Sequence, residues 1–267
     1  MCPVSRRLIN GEGSLFARGR LVAHCLLVET DAHGLVLVDT GIGEADVRDP
    51  KGRLGAPFGA ITGLAAPDPA RTARAQVRAL GYDPADVRHI VCTHLDLDHA
   101  GGLADFPEAR VHVLEDESRA AEHPPTLAER ERYRPVHFAH GPKWAHYRPA
   151  GEPWFGFPAA RALEGLPPEI LAVPLPGHTR GHACVAVQSQ GRWLLHCGDG
   201  FFHRSVVEPD APPAPLGLRA FEGLVALDRA RVAGNHARLR ELARQHRAEV
   251  DLFCAHDPVQ FDRLAGR

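Results

Sequence analysis

Two imidazoles and two carboxylates fall within six residues, His94-Leu95-Asp96-Leu97-Asp98-His99, and no other run constrains the chain as tightly. The apolar residues His89–Thr93 just ahead predict a short buried strand that delivers the chain directly into this run. In an extended loop His94, Asp96 and Asp98 alternate onto one side while His99 points elsewhere. Ala100-Gly101-Gly102 follow, where missing side chains let a second backbone approach closely and a helix begin. Imidazole and carboxylate are ligands of zinc, iron and manganese, and the divergent directions suit two ions held side by side.

Three later segments repeat the design, an apolar strand ending in such a side chain: Leu175-Pro176-Gly177-His178, Leu195-His196-Cys197-Gly198-Asp199 and Phe253-Cys254-Ala255-His256. The chain holds 17 histidines, so an isolated one means little. Ligand types at several strand ends mean more, because strand ends on one side of a sheet lie close together and can meet in one cleft.

The rest of the chain reads as alternating strands and helices. Leu21–Glu29 and Gly34–Val38 flank the turn-prone Asp31-Ala32-His33-Gly34 and predict a hairpin that leads into the loop Asp39-Thr40-Gly41-Ile42-Gly43. Asp68-Pro69 opens a helix that runs to Leu80 and stops at Gly81. Strands are expected at Arg110–Leu114, Ile170–Leu175, His182–Gln188, Arg192–Cys197 and Val250–Cys254. A charged helix begins near Glu115, and a helical stretch covers Gly223–Arg247 with a break at Asn235. Aromatics, prolines and histidines cluster without a clean period from about 124 to 168. That segment reads as a lid or insertion over a pocket within one domain spanning 1–267.

Thr93-His94-Leu95-Asp96-Leu97-Asp98-His99-Ala100-Gly101-Gly102 resembles the HxHxDH signature of the metallo-beta-lactamase superfamily. Pro176-Gly177-His178-Thr179-Arg180-Gly181-His182, Gly198-Asp199-Gly200 and Ala255-His256-Asp257 resemble that family's later metal-binding motifs in the same order. Asp39-Thr40-Gly41 resembles its early strand-loop. The resemblance spans about Leu21 to His256. It implies an α/β fold, a four-layer αββα sandwich of two mixed β-sheets flanked by helices. It further implies that His94, Asp96 and His178 hold one metal ion, Asp98, His99 and His256 a second, and that Asp199 bridges them. His182 is expected to support the loop. The implied cofactors are two divalent ions. Zinc is the expected metal, with iron or manganese as alternatives, because Asp96 stands where most hydrolases of the superfamily carry histidine and a carboxylate is a harder ligand.

The implied reaction is hydrolysis of a small organic ester or lactone by a metal-bound hydroxide, with Asp98 or Asp199 handling the proton. The His178–His182 segment and the chain length are most similar to the N-acyl-homoserine lactonase and related lactone or ester hydrolase branch. Where those lactonases place a tyrosine, this chain has Phe202. Phe202, Trp144, His146 and Tyr147 are the candidate substrate-binding residues. An alternative is a non-haem di-iron redox enzyme on the same fold, since flavodiiron proteins also carry an acid at the Asp96 position; a phosphodiesterase or nuclease is a further one.

Composition narrows these classes. The formal net charge of -2 and the lack of a basic stripe argue against a nucleic-acid partner. No apolar run is long enough to span a bilayer, and the first residues lack the apolar core of a signal peptide. A cytoplasmic protein with a small-molecule substrate is therefore expected. The six cysteines never form CxxC and sit mostly in apolar runs, which predicts reduced, buried thiols.

Overall fold

The apolar runs on either side of the Asp31–Gly34 turn pair as an antiparallel hairpin. In it β1 (Leu26–Glu29) lies against β2 (Leu35–Val38), with Leu26 opposite Val38 and Glu29 opposite Leu35. In this computed structural model the described residues are all of 1–267 except Cys2, Val4, 64–66 and Arg267. The chain divides into two compact units, residues 25–148 and residues 1–24 with 149–267.

In the unit 25–148, β3 (Val87–Val91), β4 (Arg110–Leu114) and β5 (Lys143–Tyr147) extend the hairpin in parallel, giving the order β1-β2-β3-β4-β5. Parallel neighbours require crossover connections, and helices supply them. Between β2 and β3 lie α2 (Glu44–Arg48), α3 (Pro50–Leu54), α4 (Ala56–Thr62) and α5 (Ala73–Ala79). Between β3 and β4 lies α6 (Leu97–Ala100), and between β4 and β5 lie α7 (Glu115–Glu122) and α8 (Leu127–Arg132). Leu35, Leu37, Ile90, Val111 and Val113 of the strands bury with Leu95, Leu103, Phe106 and Tyr133 into one core. The helix expected from Asp68 to Leu80 is divided at Thr72. There the hydroxyl accepts the Ala75 N–H and starts α5 afresh after a 3-10 turn at Pro69–Arg71.

In the other unit, α1 (Arg6–Asn10) precedes a six-stranded sheet in the order β11-β10-β9-β8-β7-β6. Its strands are β6 (Glu152–Trp154), β7 (Phe157–Ala162), β8 (Ile170–Pro174), β9 (Ala183–Ser189), β10 (Arg192–His196) and β11 (Val250–Phe253). Only β10 and β11 pair in parallel. The helices are α9 (Leu216–Val225), α10 (Arg229–Gln245) and α11 (Pro258–Leu264). Val173, Leu175, Ala186 and Leu195 of this sheet pack with Leu239 and Leu242 of α10. The break in the long helical stretch falls at 226–228, where Asp228 caps α10, and not at Asn235.

The segment 124–168, expected as an irregular lid, carries α8, a 3-10 turn at Pro135–His137, and strands β5, β6 and β7. Its prolines at 142, 149, 153 and 158 hide the period-two pattern; Pro153 falls in β6, an edge strand where a missing N–H is tolerated, while Pro158 falls in β7, which pairs with both β6 and β8. Of the cysteines, Cys92, Cys184, Cys197 and Cys254 are buried thiols and Cys25 is half-buried, while Cys2 lies outside the described residues. Among the described residues no helix is long and apolar enough to cross a membrane.

Two buried histidines make stability depend on pH. Burial pushes the imidazole of His24 down to about 3, and burial beside His89 does the same to His112, whose ring nitrogens lie 2.9 Å from His89 Nδ1 and 2.8 Å from the Tyr147 hydroxyl. The unfolded chain takes up protons at these groups below about pH 6.5, whereas the folded chain does not. Their contribution is therefore fully present above ~pH 6.5 and is lost as the pH falls toward ~3, at about 1.4 kcal/mol per pH unit for each group. Urea unfolding at stepped pH should show the midpoint falling through this window. His112→Gln should remove roughly half of the slope.

Candidate metal centre

In the unit 25–148 the side chains converge through Asp39, which follows β2 and holds a left-handed backbone at φ 56°. Its Oδ1 accepts the Thr93 N–H at 2.8 Å. Its Oδ2 accepts the Thr93 hydroxyl at 2.7 Å and the His99 Nδ1–H at 2.8 Å. The Thr93 hydroxyl has one proton and gives it to Asp39, so its oxygen accepts from His94 Nδ1 at 2.9 Å. Both imidazoles are thereby protonated at Nδ1 and carry the lone pair on Nε2, the arrangement by which an outer carboxylate orients a metal-ligating histidine.

His94 Nε2 lies 3.5 Å from Asp96 Oδ2, and His99 Nε2 lies 4.0 Å from Asp98 Oδ2. The extended alternation expected for His94, Asp96 and Asp98 stops at Asp96, because Leu97–Ala100 forms the helical turn α6. Asp98 thus turns toward His99. The glycines behave as their sequence position implies. The Gly102 N–H donates to Gly41 O at 3.0 Å and the Thr40 N–H to His99 O at 2.8 Å. A Cβ on Gly102 would stand 2.9 Å from the Thr40 carbonyl oxygen, so a side chain there would force the two loops apart.

A second carboxylate supports the same run from α7. Glu117 is fully buried, and its Oε1 accepts the Leu95 N–H and the Tyr133 hydroxyl, each at 3.0 Å. Burial beside Glu117 pushes the Tyr133 phenol up, so it remains a donor. Arg132, at the end of α8, brings its Nε to 3.5 Å from Asp96 Oδ1.

In the other unit His178, Asp199 and His256 converge. Asp199 Oδ2 lies 3.2 Å from His178 Nε2, and Asp199 Oδ1 lies 3.0 Å from His256 Nε2. The His256 Nδ1–H donates to the Val22 carbonyl at 2.7 Å, which again places the lone pair on Nε2. His182 has both ring nitrogens engaged: Nδ1–H donates to Leu175 O at 3.1 Å and Nε2 accepts the Asp199 N–H at 3.0 Å. It holds the Asp199 backbone in place. Asn235 lies buried within α10 and donates to Pro176 O at 3.0 Å. Gly177, at φ +152°, packs so closely on α10 that a Cβ would stand 3.2 Å from Val232 N.

Among the candidate substrate-binding residues, Phe202 is buried with its ring centroid 4.9 Å from that of His256 and 5.9 Å from that of His178. Trp144 and exposed His146 share one face of β5, and buried Tyr147 takes the other, where its hydroxyl meets His112. Successive residues of a strand face opposite ways, so these three do not share one surface. Trp144 instead borders a cavity of about 210 Å³ with Leu95, Pro135 and Phe138. Among the described residues that line it there is no candidate donor.

Asp39, Thr93, Glu117 and Arg132 were not among the expected site residues. The strand-loop position of Asp39 was a signal for it. Thr93 opens the motif run itself, while Glu117 and Arg132 carry no sequence signal, since they act through contacts with a loop more than twenty residues away. The donors of each unit are of types that suit divalent cations: in 25–148 the imidazoles of His94 and His99 with the carboxylates of Asp96 and Asp98, and in the other unit the imidazoles of His178 and His256 with the carboxylate of Asp199.

The family model described as "Metallo-beta-lactamase superfamily" matches residues 18–247. A Mycobacterium tuberculosis protein named "Probable metallo-hydrolase" is 50% identical over 238 residues, 89% of this chain and 75% of its own length. The N-acyl homoserine lactonase of Bacillus thuringiensis subsp. kurstaki is 26% identical over 239 residues, 88% of this chain and 81% of its own. A solved N-acyl homoserine lactone hydrolase, with N-hexanoyl-L-homoserine at its catalytic metal center, aligns with a TM-score of 0.65 and 21% identity. The alignment covers 98% of this chain and 92% of that one, and it shares the two mixed sheets flanked by helices.

Proposed function

The chain belongs to the metallo-beta-lactamase superfamily of metallo-hydrolases, and on that premise we propose that it is a two-metal hydrolase of small organic esters or lactones. His94, Asp96, His178 and Asp199 would hold one divalent ion, and Asp98, His99 and His256 the other; Asp199, with two carboxylate oxygens, is the residue that would serve both. The observation that carries this reading is the orientation of the imidazoles: His94, His99 and His256 are each held through Nδ1 so that Nε2 is the donor.

When bound, such ions supply an activated water and polarise the carbonyl under attack. The protein's own part is to orient and to move protons. Asp39 and Thr93 orient His94 and His99, and His182 fixes the Asp199 backbone. Asp98 and Asp199 are the carboxylates able to take a proton from the attacking water and return it to the leaving oxygen. Phe202 packs against the His178 and His256 rings and presents no hydroxyl, so substrate contact there is apolar. Zinc is the proposed metal, and the lactonase relatives support the substrate class.

Protein purified without added metal should contain close to two equivalents of a divalent ion, and chelation should abolish turnover. A panel of lactones, aryl esters, thioesters and phosphodiesters should show carbonyl substrates favoured. Iron together with oxygen consumption and no ester turnover would replace this reading with the redox one.

A further inference from the structure

Asp96 sits in surroundings where a bare negative charge is expensive, its side chain being 14% exposed, and a cation has been brought to it. Arg132 is itself only 12% exposed at its side chain, and its Nε lies 3.5 Å from Asp96 Oδ1, while Asp96 Oδ2 faces His94 Nε2 at 3.5 Å. The guanidinium therefore takes one carboxylate oxygen and leaves the other on the donor side.

The arginine is held in place by its helix and by the contacts at that helix's end. α8 starts at Thr126, whose side chain accepts the Glu129 N–H at 3.2 Å, and it ends at Tyr133, whose hydroxyl reaches Glu117. Glu117 in turn holds the Leu95 N–H between His94 and Asp96. Helix end and donor loop are thus fixed to one another on both sides of the pair, and Arg132 has little freedom to leave.

We infer that Arg132 is a positioning residue that offsets the charge of Asp96, so that this carboxylate serves the metal as a nearly neutral ligand. The inference rests on the two-metal reading above. An anionic ligand binds hard divalent ions tightly and weakens them as Lewis acids. A carboxylate shared with a guanidinium does both less. By this argument the arginine costs metal affinity, a sign opposite to that expected of a merely structural side chain.

The test is competition of the purified protein against a chromogenic chelator for Zn²⁺ and, separately, for Mn²⁺. In Arg132→Gln, Mn²⁺ should bind about tenfold more tightly, with a smaller gain for Zn²⁺, because Asp96 regains its full anionic charge and Mn²⁺ prefers oxygen ligands. Arg132→Lys keeps the charge and should stay within about threefold of wild type. In an Asp96→Asn background the Arg132→Gln change should move the affinity by no more than about twofold. Equal or weaker Mn²⁺ binding in folded Arg132→Gln overturns the inference while leaving the two-metal reading intact. If Arg132→Gln does not fold by circular dichroism, a tenfold change in Arg132→Lys overturns it instead. A wild-type protein that binds neither ion overturns the two-metal reading itself.

Discussion

Asp199→Asn should lower hydrolytic turnover by about a thousandfold or more if Asp199 is the proton-transfer group and metal ligand proposed above. The substitution is nearly isosteric. It leaves the backbone N–H that His182 accepts, so the loop after β10 has no reason to move. What it removes is the anionic charge between the His178 and His256 imidazoles, now 3.2 and 3.0 Å from the two carboxylate oxygens. One side of the asparagine presents an NH2 where a lone pair would be needed, so it could not serve two ions as the proposal requires. Turnover of the best ester or lactone should be measured alongside metal content and circular dichroism. Activity within tenfold of wild type, in folded protein, would remove Asp199 from the reaction.

Asp39→Asn should lower metal affinity about 10- to 100-fold, the usual cost of losing the group that orients a ligating histidine. Asp39 makes no claim to be a ligand here. It accepts from the Thr93 N–H, the Thr93 hydroxyl and His99 Nδ1–H, and an asparagine has one oxygen to offer these three donors. A buried donor left without a partner costs about 1–3 kcal/mol, so thermal stability should fall as well. The left-handed backbone at this position is not the cause, because asparagine adopts it readily. Chelator competition and thermal unfolding of the same variant separate the two effects. A loss of stability with unchanged metal affinity would reduce Asp39 to a folding residue.

Much of the fold is legible locally. The hairpin turn, the strand β4 and the start of α7 at Glu115 fall where the hydrophobic pattern and turn residues put them, although β1 covers only Leu26–Glu29 of the expected Leu21–Glu29. The stretch 124–168 was less legible, because proline interrupts the alternation that marks a strand, although β5, β6 and β7 lie there. Asn235 reads as a helix breaker by propensity, yet its amide finds the Pro176 carbonyl, and that tertiary bond outweighs a weak local preference. Trp144 and Tyr147 belong to one aromatic cluster in the sequence, and one strand sends them to opposite faces.

The sequence by itself determined which donors exist and that each follows an apolar strand, because ligand chemistry belongs to the residue type and strand ends follow from local pattern. Only the tertiary structure decided how those donors are presented. The proton on His99 Nδ1 is set by Asp39, 60 residues away, and that on His256 Nδ1 by the Val22 carbonyl, 234 residues away. Arg132 reaches Asp96 only because α8 is tied to the donor loop through Tyr133 and Glu117. Hydrogen bonds and ion pairs act over a few ångströms, so partners distant in sequence become readable only once the chain has brought them together.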